Sequence, residues 1–572
     1  MKNNKFSTTL FLLSSLKKHY IYTLILCISI IGVSLASLLP SLVLQNMIDN
    51  FINISIKTNT LDNSKLLTYT LVYFFSYVLM FSFTILENYI LDIIGQKMIK
   101  ELRYIMMEKS NKIKASYYRH TGTGITTSRI IDDVSSVETV FSDGLVSMIV
   151  SLFKIVAVVI SIFVFNYILG LLVLIIIPII YFISNFFRKQ ILKNQIQSRK
   201  IRNDLTNTLS ESVSNIQTLI NTQKRDFKES QFKNNLIEDV KVSKKSGIYD
   251  SIFSPIVMII RSFVIGAVCL LVSYSLTNGN DIIGISVGSF SACISLISNI
   301  FAPIQELGMQ LQVLQVSISG IKRIDDFMNL DEDNKKDESL TSEKVLNTNL
   351  EYPALEVKNL SFKYLDGDNY IFNNVSFKIN KNEKVTIKGR TGIGKTTLFR
   401  LILSYEYPTS GLILINNYDT KLIPDTYKRE IFGYVNQNFS PILGTIKDQL
   451  TLKDESISLE DVIAACKKVD IDSYIQSNIK NGYDATFKIE DFSNGQLQLL
   501  NLARALIKNP KILLLDEMSA NLDSKTEKII IDTLTKESKD KTVISISHRL
   551  SNMLGFNKTI EVNQEGVKIS SN

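Results

Sequence analysis

The chain has 572 residues, of which 45% are hydrophobic, and 63 Lys and Arg stand against 55 Asp and Glu for a formal net charge of +8. That length exceeds the roughly 250–300 residues at which a single core stops growing, so at least two domains are expected, and composition divides the chain between long apolar runs in the N-terminal half and short alternating elements after them. Cys27, Cys269, Cys293 and Cys466 read as buried small hydrophobes rather than a disulfide framework or metal site. The basic residues concentrate in loops between apolar segments, which fits membrane topology and speaks against nucleic acid as a partner.

Residues 1–19 are polar and basic, with Phe6, Leu10, Phe11, Leu13 and Leu16 at near-helical spacing, which predicts a short helix on the membrane surface. The apolar run Tyr20–Leu44 is too long for a signal-peptide core and reads as the first membrane span. Further spans are expected at about Leu66–Ile94, Leu145–Phe165, Ile168–Phe187, Ile252–Tyr274 and Ile282–Ile304, each meeting the roughly 20 residues needed to cross the hydrocarbon core. Residues 1–19, 97–140 and 188–250 carry Lys and Arg repeatedly, so both termini are expected in the cytoplasm of a multi-pass cell-membrane protein surrounded by the lipid bilayer. The two long inner loops are helix-forming and should turn back at short transverse segments. Three charges fall inside apolar runs: Glu87, Lys154 and Arg261. A charge at the bilayer centre costs roughly 2.5–3.5 kcal/mol, so each should be paired, near an interface or facing water. The expectation is a Glu87-centred ion pair that braces the bundle or presents net positive charge to an acidic cargo, against plain snorkelling of the two basic residues.

Residues 331–350 are charged and poor in apolar side chains, which predicts a flexible linker between a membrane domain at 1–330 and an α/β domain at 351–572. In the latter, Glu383 to Leu398 reads as a β-branched strand, a glycine-rich turn and the start of a helix, with the G-x-x-x-x-G-K-[ST] spacing of a phosphate loop. Gly389, Gly392 and Gly394 let successive backbone N–H groups converge on phosphates at a helix N-terminus. Arg390, Thr391 and Ile393 complete the loop, Lys395 supplies charge, Thr396 is placed to ligate magnesium, and Thr397 follows it into the helix. The apolar strand ending in Asp516 and Glu517 would deliver one carboxylate to the Mg2+ ion and another to the attacking water.

Downstream of the phosphate loop come Phe492-Ser493-Asn494-Gly495-Gln496 before a helix, then Asp516-Glu517, then Ser547-His548-Arg549 after a strand spanning Thr542 to Ile546. In this order and spacing the motifs resemble the Walker A, signature, Walker B and switch-histidine motifs of ABC transporter ATPases. The resemblance implies a half-transporter of the exporter fold: a polytopic α-helical membrane domain with six transmembrane helices, followed by an α/β P-loop ABC ATPase domain. It further implies that Tyr364 stacks on the adenine of ATP, Gln437 is the Q-loop glutamine that touches metal and water, Asp523 is the D-loop aspartate, and His548 contacts the γ-phosphate. Ser493, Gly495 and Gln496 would face the nucleotide of a second copy, because the signature of one ATPase domain closes over the Walker A site of the other. Stretches beginning at Tyr118 and at Leu209 resemble the two coupling segments of the family.

Two departures stand out. Asn494 replaces the first signature glycine, where its tolerance of positive φ would preserve the turn, and Gly482–Phe492 lacks the family's Gly-Glu-x-Gly element. By resemblance to asymmetric exporters, an intact Glu517 beside an altered signature favours a second, different half-transporter as partner over a homodimer. The implied function is ATP-driven export of a hydrophobic or amphipathic substrate such as a drug, lipid or peptide. An importer of the same fold and a nucleotide-gated channel or sensor are the alternatives.

Overall fold

The computed structural model describes the chain apart from residues 1–5, 59–61, 278–285, 334–335, 347–351, 365–366, 368, 391, 519–521, 547–555, 557, 564–565 and 572. It divides into two compact units, residues 1–111 with 122–330 and residues 112–121 with 331–572.

In the first unit the helix Thr8–Lys18 precedes six helices long and apolar enough to cross a membrane. These are α1 (Tyr20–Ile56), α2 (Asn63–Lys112), α3 (Gly124–Phe165), α4 (Tyr167–Ser214), α5 (Arg225–Ser273) and α6 (Val287–Met328). Residues 282–285, where the last span was expected to start, lie outside the described residues. A backbone in hydrocarbon must satisfy its own polar groups, which is why the spans stay helical through Pro178, Pro255 and Pro303. The 50 residues of α2 correspond to about 75 Å at 1.5 Å per residue, more than twice the hydrocarbon thickness. The helices therefore run well beyond any bilayer, as the long basic loops lead one to expect. The turn between α4 and α5 carries the short helix Ile216–Asn221, and the chain between α2 and α3 carries Ala115–His120, which clusters with the second unit.

The core of this unit joins Val158 and Ile162 of α3, Leu169 and Ile180 of α4, Val257 of α5, and Leu296 of α6. Small residues let backbones approach closely: a Cβ at Gly288 would lie 2.4 Å from the Gln45 carbonyl oxygen, so α6 is seated directly against α1. Thr8 donates to Asp325 Oδ1 from its backbone N (2.7 Å) and from Oγ1 (2.6 Å), tying the first helix to the end of α6. One expectation changes here. Cys293 and Cys466 are buried, but Cys27 and Cys269 are exposed, because a membrane helix keeps an apolar outer face that protein does not cover. Arg261 is exposed too.

The second unit holds two sheets. An antiparallel one runs in the order β2-β1-β4-β5, from β1 (Leu355–Phe362), β2 (Phe372–Ile379), β4 (Ser410–Ile415) and β5 (Tyr418–Asp419). The other runs β10-β9-β3-β8-β7-β6, from β3 (Lys384–Lys388), β6 (Phe432–Val435), β7 (Ile512–Asp516), β8 (Thr542–Ile546), β9 (Lys558–Asn563) and β10 (Gly566–Ser571). Its centre is parallel from β9 to β6, and β7 is buried along its whole length, as a strand covered on both faces must be. Successive residues of β7 alternate between two cores, Leu513 and Leu515 in one, Ile512 and Leu514 in the other. The 331–350 segment departs from a plain linker. It includes α7 (Ser342–Leu346), whose Val345 is fully buried and whose Val345 carbonyl accepts a 2.8 Å hydrogen bond from Asn416 Nδ2. A few apolar residues suffice to hold it against this unit.

Gly433, in β6, lies where a Cβ would meet Leu513 Cδ2 and Pro510 Cγ at 2.7 Å and the Ala505 carbonyl oxygen at 2.9 Å. Gly433→Ala should therefore overpack the β6–β7 contact and destabilise the ATPase unit by about 1–3 kcal/mol. A melting temperature equal to that of the parent, measured by calorimetry, would contradict this packing.

Candidate active site

The parallel register decides where the motifs meet. Val435 pairs with Leu515, Asp516 with Ile546, and Thr386 with Ser545, so β6, β7, β8 and β3 all end on one edge of the sheet. Ligand sites of open α/β sheets form at that edge. The phosphate loop leaves β3 there, Gln437 follows β6, and Glu517 follows β7. His548 and Thr391 lie outside the described residues.

The loop itself is held open by glycine. Gly394 has φ +105°, and a Cβ there would sit 2.4 Å from Ile371 Cγ2; Gly389 has φ +157° and lies against the Val562 carbonyl oxygen. Gly392, at φ +84°, is exposed, with Arg390 exposed and Ile393 half-buried beside it. Lys395 starts helix α8 (Lys395–Ile402) and folds back over the loop, its Nζ donating to the carbonyls of Gly389 (2.8 Å) and Arg390 (3.1 Å). Thr396 Oγ1 donates to Asp516 Oδ1 at 3.4 Å, and Thr397 is bonded to the Tyr364 hydroxyl at 2.8 Å. Gln437 Nε2 donates to Glu517 Oε2 at 3.3 Å. Glu517 adopts φ +44°, a rare conformation for a side chain of its size, stabilised where its backbone N donates to the Ile546 carbonyl at 3.3 Å.

The two carboxylates differ in setting. Asp516 is buried while Glu517 is exposed. Burial, and then the neighbouring Glu517, raise the Asp516 carboxyl above its ordinary range, against hydrogen bonds from Thr396 and Tyr434 that lower it. Tyr434 OH donates to Asp516 Oδ2 at 3.4 Å, and burial followed by that same carboxylate holds the phenol well above its usual value.

Ser493, Gly495 and Gln496 stand at the start of α9 (Asn494–Leu506) in a capping box: Ser493 Oγ accepts from Gln496 N at 3.2 Å, and Gln496 Oε1 accepts from Ser493 N at 2.8 Å. Asn494 is the first residue of the helix and is absent from the positive-φ residues, so the expected need for a left-handed backbone there is corrected. The first glycine of the family pattern is conformationally dispensable in this chain. Gly495 does need its lack of a side chain, because a Cβ would lie 2.9 Å from Thr526 Oγ1. Thr526 donates from N (3.1 Å) and Oγ1 (2.6 Å) to Asp523, the cap of α10 (Ser524–Glu537), and these bonds lower the Asp523 carboxyl. Among the described residues no hydrogen bond joins Ser493, Gly495 or Gln496 to the phosphate loop.

Sequence reasoning missed the contacts between α9 and the Q-loop. Gln498 Nε2 donates to the Gln437 carbonyl, Asn501 Nδ2 to that of Asn436 at 2.9 Å, and Arg504 Nη1 to that of Ser440 at 2.9 Å. The spacing of three residues places all three on one face of a helix, a periodicity visible in the sequence but with no stated partner. Arg504 also stacks 4.2 Å over Phe439, and burial, then Arg429, lower its guanidinium to about 10. Also missed was Arg119, whose guanidinium lies 3.6 Å above the Tyr364 ring with Nη1 3.6 Å from Glu406 Oε1. A base stacking on Tyr364 must take the other face or displace this arginine.

Residues 23–304 match the family described as the ABC transporter transmembrane region, and residues 372–520 match the ABC transporter family itself. A protein of Streptococcus pneumoniae serotype 4 named as an ABC transporter ATP-binding protein, exp8, is 28% identical over 96% of this chain and 91% of its own. The ATP-dependent lipid A-core flippase of Syntrophus aciditrophicus is 26% identical over 83% of this chain and 78% of its own. The structure of a bacterial Atm1-family ABC exporter with ATP bound superposes with a TM-score of 0.75 at 22% identity, covering 97% of this chain and 95% of that one, which establishes the shared fold. A phosphate loop, Walker B acids and Q-loop on one sheet edge, joined in one chain to six membrane-spanning helices, make this protein a member of the ABC transporters: a multi-pass membrane ATPase that binds ATP.

Proposed function

We propose that this chain is one half of an ATP-driven exporter of a hydrophobic or amphipathic substrate, with both termini in the cytoplasm and with a different half-transporter as its partner. The observation that carries the reading is the convergence of the phosphate loop, the Thr396–Asp516 contact and the Gln437–Glu517 contact at one sheet edge. The lipid flippase among its relatives and the exporter fold of its structural neighbour favour outward movement of cargo over import. The excess of Lys and Arg in residues 97–140 and 188–250 supports the orientation.

In this reading the backbone of Gly389–Gly394 and the Lys395 ammonium hold the phosphates, and Tyr364 holds the base. The oxygen donors Thr396 Oγ1 and Asp516 Oδ1, 3.4 Å apart, suit a small hard cation. When bound, Mg2+ would neutralise charge on the phosphates. Glu517 orients and polarises the attacking water, and Gln437 holds the Glu517 carboxylate and reports its state through α9. His548 would contact the γ-phosphate. Ser493, Gly495 and Gln496 would close on the partner's nucleotide, with Asp523 lining the seam. The Asn494 side chain, exposed at the head of α9, adds bulk where a partner's γ-phosphate would dock, which supports pairing with a chain that has a regular signature.

Three outcomes follow. Glu517→Gln should abolish most hydrolysis while ATP binding persists, because an amide keeps the shape but cannot serve as a base; Lys395→Ala should weaken binding itself. Unchanged turnover in the purified Glu517→Gln assembly would remove Glu517 from this role. The raised Asp516 carboxyl means that its contribution to stability is present below the unfolded value and lost as pH rises through the folded one. Asp516→Asn should thus raise the melting temperature at neutral pH without metal, by roughly 2–4 °C per 1 kcal/mol, while eliminating Mg2+-dependent turnover; equal melting temperatures would show that no charge penalty is relieved. Expressed alone, the chain should show weak ATPase that rises when the partner is supplied. Vigorous, substrate-stimulated hydrolysis by a dimer of this chain alone would replace the heterodimer with a homodimer.

A further inference from the structure

Inside the first unit, α2, α3 and α6 bring together five polar residues. Glu87 of α2 is only 7% exposed, and the charges acting on it are those of Lys154 of α3 and Glu306 of α6. Gln310 Nε2 donates to Ser151 Oγ at 3.1 Å, and Ser151 Oγ donates to Glu306 Oε2 at 3.2 Å. Arg261, which the sequence grouped with Glu87 and Lys154, is exposed and is not among the charges acting on Glu87. Glu306 takes its place, and that reverses the sign: two carboxylates face one ammonium, leaving one net negative charge where one positive charge was expected. Arg188 of α4 donates to the Gln305 carbonyl of α6 at 2.6 Å and lies against Gly308, and the charge acting on it is that of Asp250.

Donor and acceptor counts then make the site asymmetric. A serine hydroxyl has one proton, and Ser151 gives it to Glu306, so Ser151 must accept from the amide nitrogen of Gln310. That fixes the other end of the amide, and Gln310 Oε1 is buried with no hydrogen-bond partner, on a side chain 7% exposed. The Glu87 carboxylate likewise accepts no hydrogen bond among the described residues. A buried acceptor left without a donor is destabilising, and a buried charge left without a countercharge more so. The cluster therefore holds one acceptor without a donor and one carboxylate more than its single ammonium balances.

We propose that Glu87, Glu306 and the free carbonyl of Gln310 form a recognition site for the cationic, hydrogen-bond-donating head of an amphipathic substrate, an ammonium or guanidinium group carried on an apolar body. The proposal rests on the exporter reading above, and it narrows the cargo from any amphiphile to a cationic one. Lys154 limits the net charge to a value that one monovalent head neutralises. The apolar body is left to the surrounding helix faces, which are rich in Leu, Ile, Phe and Val.

The test uses the full chain with its partner in lipid nanodiscs, with Glu517→Gln introduced so that binding is read without turnover. A fluorescent long-chain primary alkylammonium is compared with the alcohol and the carboxylate of equal chain length. The expected result is binding in the order ammonium, alcohol, carboxylate. Glu87→Gln, Glu306→Gln and Gln310→Leu should each weaken ammonium binding roughly tenfold or more while hardly changing alcohol binding, whereas Arg261→Met should change neither. Equal affinity for the three probes, or preference for the carboxylate, overturns the proposal without any variant. So does loss of thermal stability in Glu87→Gln and Gln310→Leu with ammonium affinity unchanged, which would make the cluster a brace or a water site. Vesicle flux with wild-type Glu517 separates the two claims: ammonium binding without ATP-dependent flux refutes the exporter reading and leaves the site standing, and flux with no charge preference does the reverse.

Discussion

Everything catalytic in this protein depends on the parallel register of β3, β8, β7 and β6. Chemical groups separated by more than a hundred residues become neighbours because each lies just past the end of a strand whose length and pairing are set by burial on both faces. A slip of one residue in β7 would turn Leu513 and Leu515 into the core that now holds Ile512 and Leu514, and would move Asp516 away from Thr396. The apolar packing thus enforces a polar geometry that the polar residues, two of them like-charged and adjacent, would resist by themselves.

The resistance is visible at β7. Burial raises the Asp516 carboxyl, and the Glu517 backbone sits at φ +44°. Both are local costs, at the end of a strand with no exposed residue and at the residue that follows it. Around this edge, α9 fastens the segment after β6 through Gln498, Asn501 and Arg504, which bond to the carbonyls of Gln437, Asn436 and Ser440. The second unit also includes Ala115–His120, a stretch from the loop between two membrane helices, and its Arg119 covers the ring assigned to adenine.

In the membrane unit the same logic operates with fewer polar groups. Helical backbone is obligatory there, so sequence variation goes into side chains, and a handful of charged ones decide what the bundle tolerates. The Glu87, Lys154 and Glu306 grouping draws on three different helices, which makes its net charge a property of the bundle rather than of any one span.

Much of this was legible from the sequence, for a definite reason: features with local causes are written locally. Six apolar runs of sufficient length imply six helices, glycines at fixed spacing imply a phosphate loop, and Ile512 to Asp516 and Thr542 to Ile546 are strands because short β-branched and apolar runs have few other uses. What tertiary structure alone decided are the pairings between distant segments. That Asn494 begins a helix with ordinary φ, that Val345 packs its stretch onto the ATPase unit, that Arg119 stacks on Tyr364, and that Glu306 rather than Arg261 joins Glu87 follow from helix rotation and packing. Depth along a span can be counted from the sequence, but the face a residue presents to a neighbouring helix depends on how the helices settle against one another. That settling reversed the expected charge at the centre of the membrane unit.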